Sequence, residues 1–197
     1  MRKALIGAGG FAREIMSHME TKLPCFIDDE YYKDNDDDIH PISNFDSDLY
    51  EVIIAIGNPT DRNKIKDRLP KNTKYFSFIH PSAILLDSNI EIGEGSIVCA
   101  GSIITTNIKI GKHCHLNLQT TIGHDTIIGD FFTTAPGSKI SGNCTIGNNV
   151  YIGTNASIKE KIKICDDVTI GLNSGVVKDI SESGIYVGTP VKKIKNI

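Results

Sequence analysis

His124 lies in the run Ile122-Gly123-His124-Asp125-Thr126-Ile127-Ile128-Gly129-Asp130, where an imidazole is followed directly by a carboxylate. A neutral imidazole, with an ordinary pKa of about 6.5, accepts a proton near neutral pH. A carboxylate bonded to the other ring nitrogen would fix the tautomer and raise the basicity. Together they would form a general base for a nucleophile that loses a proton as it attacks an acyl carbon. Asp125 is the partner by adjacency, and adjacency is also the difficulty. Neighbouring side chains on a strand point to opposite faces, so the pair works only if a corner falls between them.

The element that positions the pair is a repeat. From His80 to Val176 every sixth residue forms one series; fifteen of its seventeen members are aliphatic, and only His80 and Thr134 are not. Four residues after each aliphatic comes a small or apolar side chain, as at Ser96, Ser102, Cys114, Thr120 and Thr126. Glycine often follows the aliphatic directly, as at Gly93, Gly111, Gly123 and Gly129. An α-helix with 3.6 residues per turn cannot keep one face at this period, and no strand runs for a hundred residues. A short strand and a corner, repeated, satisfy both limits. Three such sides close a triangular coil of eighteen residues, with the aliphatics stacked inside and successive coils paired as parallel strands about 4.8 Å apart. Glycine and asparagine near the corners supply positive φ. Stacking by eighteen places Gly142 one coil after His124. A side chain there would crowd the ring, whereas glycine leaves room and an approachable N–H, the kind of donor that an acyl oxyanion needs.

Composition excludes several classes. Twenty-one Lys and Arg face twenty-four Asp and Glu in 197 residues, a net charge of -3, which leaves no basic excess for nucleic acid. The apolar runs are too short to span a membrane, and Met1–Gly7 turns glycine-rich too soon for a signal peptide. Five cysteines without a CxxC pair fit a reduced, cytoplasmic protein. The chain holds 32 isoleucines and no tryptophan, a bias that suits a stacked repeat.

The first eighty residues have another rhythm. The apolar run Arg2–Ile6 leads into Gly7-Ala8-Gly9-Gly10-Phe11-Ala12 and a helical stretch to about Glu20. Cys25–Ile27 ends at Asp28-Asp29, and Val52–Ile56 ends at Gly57-Asn58. Arg62–Leu69 reads as a helix closed by Pro70, and Tyr75–Ile79 as a last strand. This alternation predicts a small three-layer α/β unit with a parallel sheet. Gly7-x-Gly9-x-x-Ala12 is a partial dinucleotide fingerprint, with Asp28 twenty-one residues after Gly7. Its physical content is a tight turn that lets backbone N–H groups face an anion. One mononucleotide half suits a nucleotide or nucleotide sugar better than a whole nicotinamide dinucleotide; a turn with no ligand is the other reading. Asp34 to Asp38 reads as a solvated loop.

The repeat resembles the hexapeptide-repeat acyltransferases, whose left-handed parallel β-helix carries an [LIV]-G-x-x-[STAV]-x motif. The left hand runs against the usual rule for parallel connections and is implied by the resemblance alone. The α/β unit before the repeat narrows the likeness, which covers essentially the whole chain. It is to the N-acetyltransferases that acetylate the 4-amino group of nucleotide-activated 4-amino-4,6-dideoxy sugars, together with the related sialic-acid O-acetyltransferases. The resemblance implies a Rossmann-like nucleotide-sugar-binding domain over 1–79, an acetyltransferase β-helix over 80–181 and a tail over 182–197 near the coenzyme A groove. It assigns the UDP-, dTDP- or GDP-linked amino sugar to the glycine turn at Gly9, Gly10 and Phe11, the paired aspartates Asp28 and Asp29, and Gly57. Phe11 replaces a polar residue, often histidine, which leaves diphosphate contact to the backbone.

The resemblance also makes His124 the general base and Asp125 its partner, and matches Asn117 and Ala135-Pro136-Gly137 to the family pattern. Thr133 stands where many members carry a histidine associated with the thioester. The segment Gly184-Ile185-Tyr186-Val187-Gly188-Thr189-Pro190-Val191-Lys192-Lys193 resembles the family's G-x-P-A-[KR] tail, which puts Lys192 or Lys193 near the coenzyme. The pantetheine arm would follow coil edges near Thr154 and Leu172, with Gly142 beside the acetyl group. Acetyl-CoA as co-substrate, no metal, and a homotrimer with active sites between subunits are further implications.

Rival readings remain at this stage. A sialic-acid or other sugar O-acetyltransferase shares the organisation. A β-helical zinc carbonic anhydrase would use His113, His115 and His124 as ligands, and a nucleotide-binding scaffold would use none of this chemistry.

Overall fold

Tyr75 and Phe78 lie three residues apart yet belong to different sheets. The expected last strand is two: Lys74–Tyr75 closes an amino-terminal sheet, and Phe78–Ile79 opens the sheet system of the repeat. The computed structural model describes residues 1–19, 21–34 and 36–197. It divides the chain into two units, Met1–Ser77 and Phe78–Ile197, a boundary two residues before the one read from the sequence.

In the first unit β1 (Arg2–Ile6), β2 (Cys25–Ile27), β3 (Ile39–Pro41), β4 (Tyr50–Ile54) and β5 (Lys74–Tyr75) form a parallel sheet in the order β3-β2-β1-β4-β5. Ala4, Leu5 and Ile6 of β1 and Val52, Ile53 and Ile54 of β4 are at most 1% exposed. These central strands read as apolar runs because both faces are covered. Helix α1 spans Gly10–Met16, shorter than expected, and its anticipated end at Glu20 lies outside the described residues. Helix α2 spans Pro59–Arg68 and begins before Arg62. Asn58 caps it by accepting from the Asp61 N–H at 3.1 Å, and Pro59 fills the first turn, where no N–H is needed. Asp38, in the acidic stretch, pairs with Lys22; Asn35 lies outside the described residues.

The second unit is a left-handed parallel β-helix of three sheets. Sheet I contains Ile84–Leu85, Ile103–Ile104, Thr121–Ile122, Lys139–Ile140, Ser157–Ile158 and Gly175–Val176. Sheet II contains Glu91–Ile92, Lys109–Ile110, Ile127–Ile128, Thr145–Ile146 and Lys163–Ile164. Sheet III begins at Phe78–Ile79 and continues through Ile97–Val98, His115–Leu116, Thr133–Thr134, Tyr151–Ile152 and Val168–Ile170. Gly184–Val187 adds to it in parallel, and Lys192–Lys195 folds back antiparallel at its edge. The eighteen-residue coil is visible in pairs such as Ile104 with Ile122 and Leu116 with Thr134. The sixth-position aliphatics from Val98 to Val176 are no more than 4% exposed. Each such burial contributes roughly 1.5–3 kcal/mol before chain entropy is counted. Thr134, the polar member of the stack, meets the Thr120 hydroxyl at 2.7 Å and accepts from the Asn117 N–H at 3.0 Å.

The corners explain the period. A positive φ recurs every six residues from Gly95 to Asn173, at three glycines and eleven other residues, including His113, Gln119, Phe131 and Lys161. Eight of these fourteen positions are glycine or asparagine, and six are neither. The glycines that follow the aliphatics have a separate role: a Cβ on Gly93 would come within 2.5 Å of the Gly111 backbone, so close stacking of coils selects them.

The six-residue register does not run unbroken from residue 80. Ile79 pairs with Val98 and Leu85 with Ile104, nineteen apart, whereas Ile92 pairs with Ile110, eighteen apart. One extra residue lies between the strands Ile84–Leu85 and Glu91–Ile92. Leu86, assigned to the core by the pattern, is 65% exposed. The first coil has a neighbouring coil on one side only, so a bulged residue there disturbs one ladder rather than two.

Candidate functional site

The corner between sheets I and II falls between His124 and Asp125. Asp125 has φ 58°, and this left-handed residue turns its side chain back toward its predecessor. His124 Nδ1 and Asp125 Oδ2 are 2.7 Å apart, so adjacency in sequence becomes contact. The other carboxylate oxygen, Oδ1, accepts from Asn107 Nδ2 at 2.6 Å. Asn107 occupies the same corner one coil earlier, with φ 53°. The Asp125 carboxyl is held below its usual range, first by the Asn107 amide and then by His124. It is ionised at neutral pH and orients the ring so that Nε2 is left to accept a proton. Gly142 lies one coil on: a Cβ there would stand 2.7 Å from His124 Nε2. The imidazole thus rests on a glycine backbone, and 57% of the His124 side chain stays exposed.

The first unit contains a cleft of about 620 Å³ at the carboxyl ends of its strands, lined by Gly7, Gly9, Asp28, Tyr31 and Ile56 and by one face of α2. That face presents Asp61, Lys64, Ile65 and Arg68, the spacing of a helical stripe. Strand order reverses on either side of β1, the switch point at which open α/β sheets hold ligands. Gly7 turns the chain there with φ 110° and donates its N–H to the Phe26 carbonyl at 2.7 Å. Arg68 grips Asp28 through both guanidinium ends, one at 2.9 Å, and holds its carboxyl below the usual range.

The other residues assigned to the sugar nucleotide divide. Asp29 is not among the cleft walls; its Oδ1 accepts from the Ser43 N–H at 3.1 Å. Gly10 and Phe11 begin α1 beyond the cleft, and the Gly57 carbonyl accepts from the fully buried Arg62 at 3.2 Å. Arg68 and Asn107 were missed by sequence reasoning. Arg68 is forty residues from its partner. Asn107 was reachable, because counting eighteen back from Asp125 finds it.

Comparison with known proteins agrees with both units. The PglD N-terminal domain family matches residues 4–69, and the bacterial transferase hexapeptide (six repeats) family matches residues 120–160. The structure of WeeI from Acinetobacter baumannii AYE is 30% identical and superposes with a TM-score of 0.87, covering 98% of this chain and 99% of that one. The chain belongs to the hexapeptide-repeat acetyltransferases. The acetyltransferase domain of PglB from Neisseria gonorrhoeae FA1090, solved with acetyl coenzyme A, shares the fold at 24% identity, with a TM-score of 0.85 and 98% of each chain covered. GDP-perosamine N-acetyltransferase of Escherichia coli O157:H7 is 34% identical over 110 residues, 55% of this chain. The chain spans about half the length of that curated relative.

For a hexapeptide-repeat acetyltransferase, the distribution of the remaining residues matters. His124, Asp125 and Gly142 lie on the edge between sheets I and II. Asn117, Thr154 and Leu172 follow strands of sheet III, on the edge leading into sheet I. The two edges are separated by a side of six residues, up to ~20 Å at the rise of a strand. One chain does not bring them together. Asn117 Oδ1 accepts from the Leu118 N–H at 2.7 Å, while Thr154 and Leu172 are exposed. Thr133 lies in sheet III between His115 and Tyr151, 3% exposed. Lys192 is exposed in the last strand, and Lys193 pairs with Glu182 at 3.0 Å.

The histidines imagined as zinc ligands are dispersed. His113 is buried at the corner between sheets II and III, stacked on Phe131 at 5.1 Å. His115 is buried in sheet III. No group of three potential metal-ligating side chains gathers among the described residues.

Proposed function

We propose that this chain is a cytoplasmic acetyltransferase that moves the acetyl group of acetyl-CoA to the 4-amino group of a nucleotide-linked 4-amino-4,6-dideoxy sugar. The observation that carries the reading is the His124–Asp125 pair, closed by a left-handed corner and seated on Gly142. Acetyl-CoA supplies the activated acyl group. Asp125 holds the ring, and His124 Nε2 takes the proton from the amine as its nitrogen bonds to the acetyl carbon. The Gly142 N–H donates to the carbonyl oxygen as negative charge builds there. As the carbon–sulfur bond breaks, the imidazolium returns the proton to the departing thiolate, so that charge and protons balance.

The cleft of the first unit takes the nucleotide, with the Gly7–Gly9 turn at the diphosphate and the Asp28–Arg68 pair at its wall. The separation of the two β-helix edges supports a homotrimer in which the I/II edge of one subunit meets the III/I edge of the next. Asn117, Thr154, Leu172 and Lys192 would then reach acetyl-CoA from the second subunit.

The test measures CoA release with acetyl-CoA and GDP-, UDP- and dTDP-linked 4-amino sugars, beside free and CMP-linked sialic acid, and determines the mass in solution. Turnover with a nucleotide-linked amino sugar by a trimer is expected. Turnover confined to a sialic acid would replace the amine by a hydroxyl acceptor, and an active monomer would remove the shared site.

A further inference from the structure

The His124–Asp125 pair is not self-supporting. A carboxylate has two oxygens, and rotation about its last bond exchanges them. Here each has one partner: Oδ2 meets His124 Nδ1 at 2.7 Å, and Oδ1 accepts from Asn107 Nδ2 at 2.6 Å. Asn107 is itself fixed from the coil before. Asp87 accepts from the Thr106 hydroxyl at 2.6 Å and from the Asn107 backbone N–H, which clamps the corner that carries the amide. The result is a ladder along one edge, from Asp87 through Asn107 and Asp125 to His124. From this we infer that Asn107 is a positioning residue for proton transfer, acting on His124 through Asp125. The inference rests on the reading of His124 as the base.

The same molecule contains a second asparagine corner that takes no part in the His124–Asp125 contact. Asn149 also has positive φ, 55°, and donates through Nδ2 to Asp167 Oδ1 at 3.2 Å. That pair stands at the corner between sheets II and III, in the column that also holds His113 two coils earlier, and its carboxylate accepts from the asparagine without meeting an imidazole. The two asparagines share backbone conformation, spacing and type of acceptor; they differ in what the acceptor holds.

The experiment compares Asn107→Gly with Asn149→Gly in the full chain. Glycine keeps the left-handed backbone and removes the amide in each case. Kinetics use acetyl-CoA with GDP-, UDP- and dTDP-linked 4-amino sugars, and folding is followed by circular dichroism. Asn107→Gly is expected to lower kcat about tenfold, the scale of a hydrogen bond to a charged group, with both KM values within twofold of wild type. Asn149→Gly is expected to leave kcat unchanged. In an Asp125→Asn background, adding Asn107→Gly is expected to cost nothing more, since its effect runs through the carboxylate. The inference is overturned if Asn107→Gly turns over like wild type, if Asn149→Gly loses as much, or if the double variant shows the full sum of the single losses. His124→Ala with wild-type turnover would instead remove the base and the reading beneath it.

Discussion

Two carboxylates in this chain are each held by a two-point grip, and the grips are built differently. Asp125 is held by the residue before it and by the residue one coil earlier, so both contacts follow from a fixed step along the sequence. Asp28 is held by Arg68, forty residues away on another element, through the packing of α2 against the sheet. In the solenoid each residue meets its neighbours in sequence and its copies eighteen places away. In the α/β unit a contact depends on how separate elements happen to pack. The comparison teaches where each task can be placed. A ring held by contacts of fixed step sits on the periodic scaffold, and an open cleft sits where loops and a helix face converge.

If that division is right, damage to the two regions will separate in kinetics. His124→Ala should lower kcat by about 10³-fold, the range for loss of a general base, with nucleotide affinity unchanged by calorimetry. A comparable loss of affinity would break the division. Gly142→Ala places a methyl group where a Cβ stands 2.7 Å from Nε2. It should displace the ring and lower kcat about a hundredfold with circular dichroism unaltered, a cost comparable to losing one oxyanion donor. In the other unit, Arg68→Ala should raise KM for the nucleotide sugar about tenfold while kcat and KM for acetyl-CoA hold. A kcat effect larger than the KM effect would join the two regions functionally.

The smallest difference lies in stability against pH. Arg68 depresses the Asp28 pKa in the folded state, so the pair stabilises the fold above the unfolded carboxyl pKa of about 4, and that contribution is lost as pH falls through the folded value. Arg68 is 47% exposed, which limits the gain to about 1 kcal/mol or less. The difference in Tm between wild type and Arg68→Ala should be present at pH 7 and vanish near pH 2. A difference that grows on acidification would reverse the sign.

The same contrast explains what could be read before the fold was known. The stacked aliphatics, the eighteen-residue coil and the meeting of His124 with Gly142 follow from counting, because stacking repeats one arithmetic step. Asn107 was accessible by that step and was passed over, since asparagine near corners was read as a turn former. The corner at Asp125 was open to the same step, since Asn107 and Asn143 mark it one coil to either side; it was passed over because Asp125 is itself neither glycine nor asparagine. The slip of one residue near Leu86 was hidden by two adjacent leucines, which satisfy either register. In the first unit β1, β2 and β4 were legible from their apolar runs, whereas Ile39–Pro41 has no such run and was not read as a strand. The Arg68 grip is tertiary, and the diversion of Gly57 to Arg62, five residues on, follows only once α2 has formed. The split of the run from Tyr75 to Ile79 between two sheets carries no local signal, since either half alternates like a strand.

Three of the four residues in the final strand, Lys192–Lys195, are lysines, and this strand runs antiparallel on the outer edge of sheet III. A column whose rungs are all alike could accept another column on its end and grow into a filament. Reversed direction and a row of ammonium groups make that last rung a poor template for a further strand. The outer edge of sheet III is thereby closed to a further parallel rung, which guards one of the three sheets against edge-to-edge growth.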